Sequence, residues 1–143
     1  MEKKTVLFVC THNSARSQMA EGYLRAHYGD RYEARSAGTE PGGVHPLAVR
    51  VMREIDVDLA DHESEHVDVH THSPVDYVVT VCDAAHERCP YVPASELIIH
   101  QSFEDPSAAS GTEDEKVITF RRTRDEIAAW IDRTFSDEPA WSS

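Results

Sequence analysis

The chain has 143 residues, of which 40% are hydrophobic and 28% charged, and this composition predicts one globular domain with a single core. Its formal net charge of −12 argues against nucleic acids and anionic membranes as partners. We expect a cytoplasmic protein, because no stretch has the length and apolarity of a signal-peptide core or a membrane span. A chain of this size does not need disulfide bonds for stability, so its three cysteines are better explained as reactive groups.

The first half of the chain alternates between strand and helix patterns. Residues 4–9 are apolar on both faces, as in a central strand, and residues 17–28 have helical spacing. A second strand covers residues 32–37, and a second helix begins near Pro46. The buried face of the first helix is predicted from its apolar positions, which are Met19, Ala20, Tyr23, Leu24 and either His27 or Tyr28.

The second half continues the alternation. Residues 75–81 and 96–100 are predicted strands. Thr112 and Glu115 have the spacing of a capping box, which predicts the start of a last helix that continues to about Phe135 and carries Ile118 on its apolar stripe. We therefore predict a single domain over residues 1–135 and a C-terminal tail over residues 136–143.

This order of elements predicts an α/β protein with right-handed crossovers and a parallel sheet covered by helices on both faces. Four strands fit a three-layer, flavodoxin-like arrangement with the strand order 2-1-3-4. Functional sites in such sheets lie beyond the carboxyl ends of the strands. Cys10, Cys82 and Asp105 follow the first, third and fourth strands, so we expect them at one edge of the sheet.

The segment between Cys10 and Ser17 is the strongest functional signal. Backbone N–H groups of a loop between a strand and a helix converge on one point, where the helix dipole adds positive potential. Arg16 supplies a planar, permanently charged group suited to a tetrahedral oxyanion, and the same field favours the nucleophilic thiolate form of Cys10. The alternative is that Cys10 is only a small core residue. The predicted oxyanion-binding residues are Thr11, His12, Asn13, Ser14, Ala15, Arg16 and Ser17.

Cys10 followed after five residues by Arg16 and Ser17 is the phosphate-binding loop signature of low-molecular-weight protein tyrosine phosphatases. The longer string over residues 10–21 more closely resembles the arsenate reductases built on the same fold. Residues 36–39, the strand that runs into Cys82, and the later Cys89 extend that resemblance over nearly the whole chain.

The resemblance implies an arsenate reductase with three catalytic thiols. Cys10 would attack arsenate held by the loop and Arg16, and Asp105 would assist proton transfer to the departing oxygen. Cys82 would then attack Cys10 and release arsenite, and Cys89 would attack Cys82. Thioredoxin would reduce the final Cys82–Cys89 disulfide, so no tightly bound cofactor is expected, and we expect a monomer.

Two other functions remain open at this point. One is a low-molecular-weight phosphatase, which would not need Cys82 and Cys89. Residues 107–109, Ser-Ala-Ala, also lack the aromatic side chains that usually flank an aryl phosphate in that family. The other is an oxyanion or redox sensor without turnover. Glutathione or mycothiol with a glutaredoxin is the alternative to thioredoxin as the reductant.

Three further features carry weaker expectations. Some relatives bind potassium beside the loop, and the matching residues here are Asn13, Glu21, Ser36 and Glu65, which could instead form a hydrogen-bond network. His12 stands where relatives often have glycine, and it would be strained if that position needs a positive φ. Histidines spaced by four residues suggest a transition-metal site, but a solvated acidic loop is the better interpretation of this segment, which contains His62, His66 and His70.

Overall fold

The computed structural model describes residues 3–70, 75–81, 94 and 96–135, with the side chains of residues 69 and 70 excepted. Over these residues, no helix is long and apolar enough to cross a membrane. The segment that contains Cys82 and Cys89, and the predicted tail over residues 136–143, lie outside the described residues.

A four-stranded parallel sheet forms the centre of the molecule, with the predicted order 2-1-3-4. Strand β1 pairs with both β2 and β3, and its residues 6–9 are completely buried, as expected for an apolar central strand. The strands are β1 (Lys4–Cys10), β2 (Tyr32–Gly38), β3 (Tyr77–Thr80) and β4 (Leu97–His100).

Side chains of alternating residues in β1 point to opposite faces of the sheet, so the core has two parts. Phe8 packs in the larger part with side chains of the three α-helices that the described residues form, and Leu7 packs on the other face with Val67. Val67 begins a short 3-10 helix, Val67–His70. The α-helices are α1 (Arg16–Tyr28), α2 (Pro46–Arg53) and α3 (Glu113–Thr134), and a second 3-10 helix covers Pro106–Ala108.

The last helix begins as its sequence predicts, because the Glu115 amide donates to Thr112 Oγ1 over 3.2 Å. One predicted core position is wrong: Ile118 is 60% exposed, because the buried face of α3 runs one position earlier, through Val117. Of the two alternatives for the end of the buried face of α1, Tyr28 is partly buried against the core, whereas His27 is exposed.

Candidate active site

The sulfur of Cys10 lies at the carboxyl end of the central strand, where the chain leaves the sheet to form a loop before α1. The Asn13 amide donates to Cys10 Sγ over 3.3 Å, and Ser17 Oγ lies 2.9 Å from the same sulfur. Ser17 Oγ also accepts a hydrogen bond from Asn13 Nδ2 over 2.8 Å. A thiolate has no proton to donate, so with Cys10 in this form the Ser17 hydroxyl is the donor, and the sulfur of a residue that is only 2% exposed accepts two hydrogen bonds.

Asn13 shapes this loop. Its φ of 50° is in the left-handed region, which asparagine adopts more readily than most residues. Its Oδ1 accepts from Gln18 Nε2 and from the Glu65 amide over 3.0 and 2.9 Å, which fixes the orientation of the side-chain amide. The sequence raised the possibility that His12 has a strained, positive φ. The structure shows no positive φ at His12, and the residue of the loop that adopts one is Asn13.

Arg16 is 3% exposed and connects the loop to the ends of the neighbouring strands. Its Nη1 donates to the carbonyl oxygens of Phe103 and Val81 over 3.3 and 3.5 Å. Its Nη2 lies 3.5 Å from Asp105 Oδ2. Asp105 is itself held in place as the cap of the second 3-10 helix, where it accepts hydrogen bonds from Ser107. The guanidinium and this carboxylate therefore lie side by side at the predicted edge of the sheet.

The four residues expected at a potassium site lie close together, and the side-chain oxygens of Glu21 and Asn13 already accept hydrogen bonds. Ser36 donates to Glu21 Oε1 over 2.5 Å, and Arg25 Nη2 lies 2.5 Å from Glu21 Oε2. Asn13 Oδ1 has two donors, one of them the Glu65 amide. A potassium ion bound here would have to share these oxygens with their present donors and would meet the guanidinium charge of Arg25, and we derive no step through one.

His62 belongs to the support behind the loop rather than to a solvated segment, which corrects the expectation for this residue. Because arginine cannot accept a hydrogen bond, His62 Nε2 accepts from Arg25 Nη1 over 3.1 Å, and His62 Nδ1 then donates to Gln18 Oε1 over 3.0 Å. Burial lowers the pKa of His62, which is consistent with this neutral form.

The other predicted metal ligands are not gathered around an ion site. His66 Nδ1 accepts from the Asp68 amide over 3.1 Å, as in a local turn. No group of three potential metal-binding side chains occurs among the residues that the structure describes, which leave out the side chain of His70.

Sequence analysis missed one set of contacts around the loop. The carbonyl oxygens of three loop residues accept hydrogen bonds from backbone N–H groups of the segment that follows β2. The pairs are Glu40 with Thr11 at 2.8 Å, Gly42 with His12 at 3.0 Å and His45 with Ser14 at 2.8 Å. The adjacent glycines 42 and 43 predict a turn in this segment, but they do not indicate that the turn contacts the loop after Cys10.

A buried thiol after a central parallel strand, a five-residue loop and a buried arginine at the start of the next helix define a phosphatase-type oxyanion loop. The family model described as "Low molecular weight phosphotyrosine protein phosphatase" matches residues 5–135. The chain belongs to this family.

Several of its relatives are arsenate reductases. The arsenate reductase of Halalkalibacterium halodurans is 44% identical over 137 residues, which cover 96% of this chain and 98% of that protein. A solved structure described as "An arsenate reductase in the phosphate binding state" superposes with a TM-score of 0.75 at 27% identity, covering 90% of this chain and 94% of the other.

A thioredoxin-dependent arsenate reductase from Corynebacterium glutamicum superposes with a TM-score of 0.61 at 27% identity, covering 91% of this chain and 62% of that one. These similarities confirm that the chain is an enzyme and that its sequence was correctly grouped with the arsenate reductases of this fold.

Proposed function

We propose that this protein reduces arsenate to arsenite, with Cys10 as the nucleophile. The observation that carries this proposal is the environment of Cys10 Sγ, which receives the Asn13 amide at 3.3 Å and lies 2.9 Å from Ser17 Oγ at the mouth of the loop. The arsenate reductases among the relatives, which match this chain over almost its whole length, support the choice of substrate.

In the first step, the backbone N–H groups of residues 11–17 and the guanidinium of Arg16 bind the arsenate oxygens. The Cys10 thiolate attacks arsenic and forms an S–As bond, and one oxygen leaves as water. Asp105 supplies a proton to that oxygen, a role supported by its 3.5 Å approach to Arg16 Nη2. Phosphate is bound by one of the related enzymes, and its tetrahedral shape makes it a suitable unreactive analogue.

In the second step, a thiolate from Cys82 attacks Cys10 Sγ. The S–As bond breaks, its electron pair goes to arsenic, and arsenite is released as a Cys10–Cys82 disulfide forms. Cys89 then attacks Cys82, so that Cys10 is freed and a Cys82–Cys89 disulfide remains. Attack of Cys82 on Cys10 is supported by a contact between the residues that precede them in the sequence. Val81 precedes Cys82, Val9 precedes Cys10, and the Val81 amide donates to the Val9 carbonyl oxygen over 2.9 Å.

We propose thioredoxin as the partner that reduces the final disulfide, because the related enzyme from Corynebacterium glutamicum is thioredoxin-dependent. Reduction by a dithiol restores three thiols and completes the cycle without a bound cofactor. A cytoplasmic location and a monomeric state remain part of this proposal.

Phosphatase activity is the second candidate, and the name of the family model favours it. Attack by Cys10 on a phosphate monoester uses the same loop, the same arginine and the same carboxylate. The two activities diverge only after the covalent adduct has formed, when water rather than a second thiol resolves it.

Arsenite formation in the presence of thioredoxin, thioredoxin reductase and NADPH tests the proposal. Cys10→Ser should be inactive, and Cys89→Ser should stop after one turnover. Undiminished steady turnover of Cys89→Ser would contradict the relay. Turnover of the wild type with a glutaredoxin and glutathione or mycothiol, but not with thioredoxin, would favour that reductant. Hydrolysis of an aryl phosphate without arsenite formation would favour the phosphatase.

A further inference from the structure

We propose that residues 40–45, here called the strap, hold the oxyanion loop in its anion-binding form, and that His45 is the positioning residue at the end of the strap. The inference rests on the proposed function only in assuming that the loop binds a tetrahedral oxyanion.

The strap contacts the carbonyl oxygens of the loop, which would repel a bound anion. A site made of backbone N–H groups works only if the carbonyl oxygens of the same loop point elsewhere and have partners. The carbonyl oxygens of Thr11, His12 and Ser14 all accept from strap amides over 2.8–3.0 Å. The His12 side chain adds a contact in the opposite direction, because its Nδ1 lies 3.2 Å from the Glu40 carbonyl oxygen.

His45 connects the strap to two helices. Its backbone N–H donates to Ser14, and its Nδ1 accepts from the Leu47 amide over 3.1 Å, which caps α2. Its ring lies 4.8 Å, between centroids, from the ring of Phe120 in α3. His45 therefore connects Ser14 to both α2 and α3, and its contacts with these helices fix the position of Ser14.

The cap requires a neutral imidazole, because a protonated Nδ1 cannot accept a hydrogen bond. Burial lowers the pKa of His45 and favours the neutral ring. The nearby charges of Asp105 and Lys116 act on it in opposite directions, the first raising the pKa and the second lowering it.

The conformation of the strap depends on Gly43, whose φ is +87°. A Cβ at Gly43 would have no atom within 4 Å, and the same is true of Gly42, whose φ is outside the left-handed region. Alanine at Gly43 should therefore destabilise the strap only because its backbone φ is unfavourable for a residue with a Cβ. Alanine at Gly42 adds the same methyl group without that unfavourable φ and is the matched control.

The first test compares three variants of His45 in the full-length protein, with the affinity for inorganic phosphate measured by calorimetry and the fold by urea denaturation. His45→Asn keeps a capping side chain, His45→Ala removes it, and His45→Pro also removes the N–H group that binds Ser14. The observed φ of −69° and ψ of 131° suit proline.

We expect His45→Pro to bind phosphate about tenfold more weakly than His45→Ala, the effect of one lost hydrogen bond. His45→Asn should bind more tightly than His45→Ala, a rescue that loss of the phenylalanine contact alone would not give. A folded His45→Pro variant that binds phosphate as well as His45→Ala would overturn the proposal.

The glycine pair gives a second test that does not depend on His45→Pro being folded. Gly43→Ala should weaken phosphate binding about fivefold, because a residue other than glycine is disfavoured in the left-handed region. Gly42→Ala should leave phosphate binding unchanged. Equal affinities of the two variants would contradict the strap. Phosphate binding needs neither Cys82 nor a reductant, so this outcome is separate from any failure to reduce arsenate.

Discussion

The hydroxyl of Ser17 lies 2.9 Å from the sulfur of Cys10 and is oriented by the side-chain amide of Asn13. Removal of this donor should make the thiolate less stable. We expect Ser17→Ala to slow alkylation of Cys10 by iodoacetamide about tenfold at neutral pH, because a hydrogen bond to a charged group contributes about 1.5–3 kcal/mol and the Asn13 amide to the sulfur remains.

Ser36→Ala is the matched control for that variant. Ser36 is another buried serine bonded to a side chain at the back of the loop, but its partner is Glu21 rather than the sulfur. It should lower stability without changing the alkylation rate. If both variants slow alkylation equally, the effect of Ser17 is structural and the assignment is wrong.

Asp105 is expected to act on the chemical step and not on binding. Asp105→Asn keeps the size of the side chain and the hydrogen bond from the Ser107 amide but removes the acid. We expect the rate of the first turnover with arsenate to fall about a hundredfold, with little change in phosphate affinity. A weaker affinity at an unchanged single-turnover rate would assign Asp105 to binding instead.

Gly38 lies directly under the loop. A Cβ there would come within 2.5 Å of the Thr11 carbonyl oxygen and 2.9 Å of the Asn13 nitrogen, which are backbone atoms that cannot rotate away. Gly38→Ala should cost about 1–3 kcal/mol in a urea titration and weaken phosphate binding.

Gly22→Ala separates these two effects. At this position the added Cβ would meet Leu59 Cδ2 at 2.5 Å, which is the end of a side chain in the core. Stability should fall, but phosphate affinity should not. Unchanged phosphate affinity in Gly38→Ala would contradict the role given to this glycine.

The hydroxyl of Thr123 is buried in α3 and has no hydrogen-bond partner among the residues that the structure describes. Valine has the same shape without the polar group. Thr123→Val should therefore raise the free energy of unfolding by about 1 kcal/mol, as measured by urea denaturation. A loss of stability would mean that the hydroxyl has a partner.

Glu54 joins α2 to α3 through Arg121 and Arg124. The hydrogen bond from Arg121, followed by that from Arg124, lowers the pKa of Glu54 from 4.5 to about 2. Glu54 therefore binds a proton less readily in the folded protein than in the unfolded chain. The stabilisation that the Glu54 carboxylate gives to the folded state is complete above pH 4.5 and is lost as the pH falls through about 2.

The measurement is the stability difference between the wild type and Glu54→Gln across this pH range. We expect about 1 kcal/mol at neutral pH, a modest value because the pair is partly solvated, and no difference near pH 2. Glu104→Gln removes a more exposed partner of Arg122 and should change stability by less than about 0.5 kcal/mol. A pH-independent difference for Glu54→Gln would refute the linkage.

The sheet and its order could be predicted from the sequence because each depends on a repeated local pattern. The apolar run that became β1 could only be central, and short αβ connections leave few arrangements of four strands. Cys10 and Arg16 could be located for the same reason, since the seven consecutive residues from Cys10 to Arg16 contain the loop.

Features that depend on contacts between distant segments were not predictable in this way. Nothing in the local pattern around His62 indicates that it donates to Gln18, 44 residues away. The strap pairs with the loop across about thirty residues, and neither segment has a periodicity that reveals the other. Ile118 fits the apolar stripe by sequence, yet it is exposed, because the side of α3 that packs on the core passes through Val117 and Phe120 instead.

The central claim is that two thiols of one chain supply the two electrons that reduce arsenate. The most direct measurement mixes the fully reduced protein with excess arsenate and no external reductant, then counts arsenite formed and thiols lost. We predict one arsenite and two thiols lost per chain, and neither for Cys10→Ser. Phosphate-ester hydrolysis by the wild type without arsenite or thiol loss would contradict the account.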